Sequence, residues 1–311
     1  MKLVWLMIVI GCGNTATSEP PQRSQEELRR EHAGRLDTIA MQRLFEPDVL
    51  QMWQDSLQSR ITAEAWILVE DSSGMVISEK CARQRMYMAS LTKMMTCLLA
   101  LEHGHTNDSI VITRDDYVTR ISRVKPDDGY LAGNLIREMM LESDNDAAYA
   151  LARHVGGDTL TFCQMMNLKA ASLCMNDTHF ANPNGMPNNS NYSTAHDLLI
   201  LSRYCMSDTT FAQIVSTASL EIPLLDGRHL SSLNTNVLLQ QYKGCVGIKT
   251  GYTRQAGGCL AAAATRNGTT LYLILLKSRS CTSRFSEATI LLNHGFRVMQ
   301  ACKEKCLSSN P

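Results

Sequence analysis

The chain has 311 residues, of which 44% are hydrophobic and 19% charged, and its formal net charge is +0. Those figures fit a globular body with a sizeable core, built as one large domain with an appendage or as two small ones. The neutral balance leaves no electrostatic footprint for nucleic acid, so nucleic acid is not expected as a partner.

The N-terminus is more specific. Met1-Lys2 leads into an unbroken apolar run, Leu3 to Ile10, and then Gly11-Cys12-Gly13-Asn14. The run is far shorter than the roughly 20 residues a membrane-spanning helix needs. A positive start, a short apolar stretch and a small residue together predict an export signal over residues 1–12. Val9-Ile10-Gly11-Cys12 also resembles a bacterial lipobox, in which Cys12 would carry a lipid. An ordinary cleaved signal and a buried first strand are the alternatives. Residues 13–24, rich in Asn, Thr, Ser, Pro and Gln, predict a flexible tether. In residues 25–57 apolar positions such as Leu28, Leu36, Ile39, Leu44 and Trp53 sit among many charges, which predicts one or two amphipathic helices broken near Pro47.

Ala65 to Val69 and Met75 to Ser78 flank Asp71-Ser72-Ser73-Gly74, a hairpin signal. Leu91 to Leu101 reads as an apolar helix, and residues 105 to 240 as mostly helical, the longest loop being Asn182 to Ser193. Three strands are then predicted, Cys245 to Thr250, Gly258 to Thr265 and Thr270 to Lys277, with Asn267-Gly268 as the turn between the last two. An amphipathic helix from 286 to about 300 closes the folded part, and residues 301–311 are expected to be a tail. Two early strands, a helical middle, then three strands and a helix predict a mixed α+β domain, its sheet assembled from distant segments beside a helical insertion. The 11 cysteines show no zinc-like pairing, and no disulfide can be assigned from the sequence.

Three short patterns occur in order: Ser90-Leu91-Thr92-Lys93, Ser143-Asp144-Asn145 and Lys249-Thr250-Gly251. Singly they are weak. Ser122-Arg123-Val124-Lys125 repeats the first pattern, and Ser-x-Asn recurs at Ser232 and Ser308. Context separates them. Ser90 opens an apolar helix on which Lys93 shares its face, and apolar surroundings disfavour the ammonium, so Lys93 is a candidate general base. Lys125 instead precedes Pro126, which disfavours helical geometry, and has charged neighbours. Ser143-Asp144-Asn145 in isolation reads equally well as a polar helix start. Lys249-Thr250-Gly251 ends a strand whose edge is suited to pairing with an extended peptide, and Gly251 would allow close backbone approach.

The three patterns together resemble the motif set of penicillin-binding proteins and class A β-lactamases. Across roughly residues 58–300 the chain resembles the low-molecular-mass D-alanyl-D-alanine carboxypeptidases. Asn182-Pro183-Asn184-Gly185-Met186-Pro187, Ser193-Thr194-Ala195-His196-Asp197-Leu198 and Asn234-Thr235-Asn236 are further matches. The resemblance implies a β-lactamase/transpeptidase-like fold, α+β, with an antiparallel five-stranded sheet flanked by helices and a helical subdomain. It implies a peptidoglycan stem peptide ending in D-Ala-D-Ala as substrate, β-lactam antibiotics as covalent inhibitors, and no metal or organic cofactor.

By the same resemblance Ser90 is the acylated nucleophile and Lys93 its base. Ser143 and Lys249 pass a proton to the leaving amine, and Asn145 binds the substrate amide. The oxyanion sits between the N–H groups of Ser90 and Tyr252, and Thr250, Lys249 and Arg284 hold the terminal carboxylate. The Arg284-Phe285 pair matches the family's carboxylate-binding pair, though a surface arginine capping the last helix is the alternative. Asp144, where relatives commonly have Gly, and Tyr252, where many have His, are departures that bear on substrate preference. Two other functions share these residues, a class A-like β-lactamase and a non-catalytic penicillin-binding sensor. Against the first, no Glu occurs between Glu142 and Glu221 to activate a deacylating water. The sequence does not separate carboxypeptidase from endopeptidase action.

Overall fold

A computed structural model describes residue 57 and residues 59–119 and 122–308. Segments 1–12, 13–24 and most of 25–57, with Cys12, lie outside the described residues.

The frame is a five-stranded antiparallel sheet of β1 (Ala65–Glu70), β2 (Val76–Lys80), β7 (Cys245–Thr253), β8 (Gly257–Arg266) and β9 (Thr269–Ser278), in the order β2-β1-β9-β8-β7. The anticipated early hairpin forms. Glu70 fixes its turn by accepting from the Ser72 and Ser73 backbone N–H groups at 3.1 and 2.8 Å. The three late strands also form, and Asn267-Gly268 makes the β8–β9 turn. Because side chains alternate across a strand, each strand feeds two cores. Trp66, Leu68, Leu260, Ala262, Leu273 and Leu275 face the closing helix α8 (Ser283–Ser308). Ile67, Val69, Ala261, Ala263, Ile274 and Leu276 face the helical layer.

At the centre of that layer lies α1 (Lys93–His103), entered through a 3-10 turn, Ala89–Thr92. Every residue from Lys93 to Ala100 is buried. A helix hydrophobic on all sides belongs in the interior, so the one lysine at its start is carried inside with it. Around it pack α2 (Ala132–Leu141), α3 (Asn145–Gly156), α4 (Thr159–Ser172), α5 (Ala195–Met206) and α6 (Thr209–Ser216).

The stretch expected to be mostly helical also holds two small hairpins. One pairs β3 (Ser109–Val111) with β4 (Gly129–Leu131), and the other pairs β5 (Ser219–Pro223) with β6 (His229–Leu233). A short α7 (Leu238–Gln241) precedes β7. The closing helix runs past the anticipated end near 300 to Ser308, because Met299, Ala301 and Cys302 still pack on the outer core. Cys81, Cys97, Cys163, Cys174, Cys205, Cys245, Cys259 and Cys281 are free thiols.

Candidate active site

Ser90 sits in the 3-10 turn ahead of α1. The preceding Ala89 has φ of 49°, a left-handed conformation costly for a residue with a side chain. Two glycines hold that turn in place. A Cβ on Gly185 would fall 2.0 Å from the Ala89 carbonyl oxygen, and one on Gly251 would fall 2.9 Å from the Ser90 nitrogen. Neither position admits a side chain without moving the Ser90 backbone. Gly251 lies on β7, the edge strand, so Ser90 is wedged against the strand edge itself.

Lys93 is fully buried, and its ammonium has three acceptors. Nζ donates to Ser90 Oγ at 3.1 Å, to Asn145 Oδ1 at 2.7 Å and to the Asn184 carbonyl at 2.8 Å. Burial pushes its pKa down to about 7, against a smaller upward pull from the Asp144 and Asp146 charges. The lysine is thereby poised to lose its proton near neutral pH. The Asn184 carbonyl is the partner that sequence reasoning missed. The Asn182 to Pro187 segment was visible only as a loop that matches relatives, and a backbone acceptor leaves no side-chain signature. Thr96 Oγ1 pins that loop by donating to the Pro183 carbonyl at 2.6 Å, and Asn182 Oδ1 accepts from Gly185 N at 2.7 Å.

Ser143 and Asn145 bracket the start of α3. Ser143 has φ of 62°, a second left-handed residue in the site. Asp144 is the N-cap: its side chain accepts from Asp146 N at 2.9 Å and Ala147 N at 3.0 Å. The same carboxylate takes Ser122 Oγ at 2.7–2.8 Å and Arg123 N at 2.8 Å. Asp144 therefore locks Ser143 and Asn145 to the segment carrying the second Ser-x-x-Lys pattern, a structural use that the sequence did not reveal.

Lys249 stands inside β7, four residues before its end at Thr253, rather than at the strand terminus. It is 1% exposed, and its Nζ donates to the Thr250 carbonyl at 3.3 Å. Burial first, and then the charges of Lys93 and Arg284, hold its pKa well below the ordinary lysine value. Thr250 Oγ1 is 2.6 Å from Thr235 Oγ1, which ties β7 to the Asn234-Thr235-Asn236 segment. Arg284, at the start of α8, is 7% exposed; it donates to the Gly251 carbonyl at 2.6 Å and lies over the Phe285 ring. Its buried Nε has no partner, and burial lowers its pKa. Arg284 is thus drawn into the β7 edge and is not a surface cap. Tyr252 is 52% exposed at the rim.

The structure brings Ser90, Lys93 and Asn145 into direct contact, and it places Lys249 close enough to both Lys93 and Arg284 for their charges to interact. Among the described residues no carboxylate pairs with Lys249 or Arg284, so the buried Arg284 guanidinium stands without a paired anion. Among the described residues no cluster of His, Cys, Asp or Glu could hold a metal ion.

The family model of D-alanyl-D-alanine carboxypeptidases matches residues 52–280. The chain is 34% identical over 243 residues to a D-alanyl-D-alanine carboxypeptidase of Mycobacterium tuberculosis, covering 76% of this chain and 83% of that protein. It is 32% identical over 257 residues to the D-alanyl-D-alanine carboxypeptidase of Streptomyces sp. strain K15, covering 76% and 88%. The crystal structure of the Streptomyces K15 DD-transpeptidase superposes with a TM-score of 0.72 at 32% identity, over 76% of this chain and 98% of that one. The fold is the β-lactamase/transpeptidase fold.

Proposed function

The chain belongs to the D-alanyl-D-alanine carboxypeptidase family, and from that premise we propose that Ser90 carries the acyl-enzyme through which it removes the terminal D-alanine of peptidoglycan pentapeptides. The observation behind this reading is the Lys93 amine, sealed from water, tuned to about 7 and 3.1 Å from the Ser90 hydroxyl. Ser90 Oγ attacks the carbonyl between the two terminal D-alanines as Lys93 takes its proton. The new oxyanion is met by the N–H groups of Ser90 and Tyr252; such donors contribute roughly 3 kcal/mol each. The C–N bond then breaks, and Ser143 with Lys249 delivers the proton that makes D-alanine a neutral amine leaving group. Water releases the shortened peptide. Asn145, its Oδ1 held by Lys93, offers its amide N–H to the substrate carbonyl.

The missing anion is the substrate's terminal carboxylate. Lys249, Thr250 and Arg284 surround the place where β7 would pair with an extended peptide, and Gly251 keeps the strand close to Ser90. β-Lactams acylate the same serine. The apolar run before Cys12 exports the chain to the bacterial cell envelope, and a lipid on Cys12 anchors it, since lipoprotein processing adds more than one acyl chain. Among the described residues no helix is long and apolar enough to cross a membrane.

Release of D-alanine from an acyl-D-Ala-D-Ala peptide, followed beside its C-terminal amide, tests the assignment. The free acid should be cleaved and the amide cleaved poorly. Arg284→Ala should cost the acid about 2–4 kcal/mol in kcat/KM and the amide much less. Equal losses on both substrates would make Arg284 structural. Labelled palmitate should be incorporated by the wild type and not by Cys12→Ser; an exported but unlabelled wild type would mean an ordinary cleaved signal.

A further inference from the structure

On the far side of the sheet from Ser90 the β8–β9 turn and residues 289–303 of α8 line an open cavity of about 760 Å³. That size lies within the range of small-molecule sites. It is separate from the active site: Arg284 and Arg297 stand on the same helix, roughly 20 Å apart along its axis. Of the described residues that line it, four are cations, Arg60, Arg266, Arg297 and Lys303, and none is a carboxylate. None of the four forms a salt bridge among the described residues.

Two of these cations are positioned by neutral groups. Arg266 lies over the rings of Tyr242 and Phe296 at 4.2 and 4.8 Å, and donates to the Lys243 carbonyl at 2.9 Å and to Asn293 Oδ1 at 3.3 Å. Lys303 Nζ donates to Thr269 Oγ1 at 2.7 Å. Arg297 and Arg60 are exposed. Like charges gathered in a concave site repel one another unless an anion joins them. A structure that fixes two of them with aromatic faces, carbonyls and hydroxyls spends its contacts on orientation and leaves the charge uncompensated. Ile290, Phe296 and Met299 add an apolar side to the same cavity.

We propose that this cavity binds a phosphate-bearing anion of headgroup size. Guanidinium forks match phosphate oxygens in pairs, and the apolar wall would take the glycerol or first carbons of an ester. Membrane phospholipid is one source and a soluble phosphate ester is the other. Arg60 lies near the start of the described residues, and the lipid proposed for Cys12 would be a separate anchor. The cavity's chemistry does not depend on that anchor.

The test uses the full chain carrying Cys12→Ser, titrated with sn-glycerol 3-phosphate and mixed with vesicles of phosphatidylglycerol or phosphatidylcholine. Saturable binding of glycerol 3-phosphate at one site, weakened by salt, is expected, together with retention on phosphatidylglycerol at least tenfold above that on phosphatidylcholine. Arg297→Gln and, separately, Arg266→Gln should each lower both by about tenfold, since each removes a charged donor. Both should keep wild-type acylation by labelled penicillin, which reports an intact fold. Retention on phosphatidylglycerol without glycerol 3-phosphate binding would identify lipid as the source. Binding of both would identify the phosphate ester itself. Equal retention on the two vesicle types without a glycerol 3-phosphate response would overturn the proposal, because the apolar run Leu3 to Ile10 would then account for retention. Binding undiminished in both variants would overturn it too.

Discussion

Ser90-Leu91-Thr92-Lys93 and Ser122-Arg123-Val124-Lys125 share a four-residue pattern and end in opposite environments. In the first, the lysine enters the protein at the head of a helix buried on every side, and its amine rests on the serine hydroxyl. In the second, the lysine is exposed: its amine reaches back to the Ser122 carbonyl and lies 5.6 Å from the Tyr117 ring centroid. Ser122 is the buried member there, and its hydroxyl serves Asp144. Chemistry at a Ser-x-x-Lys pattern therefore depends on which of the two residues the fold buries. Where lysine is buried beside a reachable serine, desolvation lowers its pKa toward neutrality, as the proposed base requires. Where serine is buried against a carboxylate, the same letters make a brace.

The largest expected effect breaks the first pair. Intact-mass analysis after penicillin treatment should find one adduct in the wild type, lost in Ser90→Ala and retained in Ser122→Ala. Lys93→Arg should also lose it, because a guanidinium keeps its proton at neutral pH. Each loss should be on the order of 10⁴-fold or more in acylation rate. An adduct persisting in Ser90→Ala would move the nucleophile elsewhere.

A pH profile sharpens the same contrast at smaller cost. In the proposed role Lys93 acts in its neutral form, and its pKa is lowered to about 7, so acylation should rise with pH through 7 and level off above it. Below the midpoint the neutral fraction falls, which predicts about a tenfold slower rate for each pH unit. A profile flat from pH 5 to 8 would mean that another group accepts the proton.

How far the sequence reveals all this follows the same division. The buried helix behind Ser90, the early hairpin and the three late strands have strong local signals, since long apolar runs and an Asn-Gly turn are dictated over a few residues. β3 and β4 have three residues each, too short for alternation to show. The third acceptor of the Lys93 amine, the Asn184 carbonyl, belongs to the backbone and has no letter of its own. Ala89 and Ser143 adopt left-handed φ because Gly185, Gly251 and the Asp144 cap hold their surroundings, a constraint assembled from segments distant in sequence. Asp144 itself reads as a departure from relatives until its four partners are seen.

Those partners make the next prediction. Ser122→Ala removes a hydroxyl from a buried carboxylate that also caps α3, and an under-satisfied buried acceptor costs about 1–3 kcal/mol. Denaturant unfolding should register that loss with an unchanged m-value. Acylation at Ser90 should slow only severalfold, because Asp146 N, Ala147 N and Arg123 N still hold Asp144. Unchanged stability would make Ser122 a bystander to the cap.

The smallest effect belongs to Lys125, and it is the sharpest check on the comparison because the sequence pattern alone would assign it the largest. Its amine sits at the surface, where water competes with the Ser122 carbonyl and screens the attraction to the Tyr117 ring. An exposed cation over a ring contributes about 0.5–1 kcal/mol, and an exposed side-chain hydrogen bond no more than that. Lys125→Ala should therefore cost less than about 1 kcal/mol of stability and leave penicillin acylation within about twofold of wild type. The equivalent change at Lys93 removes the proposed base. If Lys125→Ala and Lys93→Ala impaired acylation alike, burial would not be what separates the two patterns, and the 122–125 segment would have to act on Ser90 through Asp144 and the start of α3.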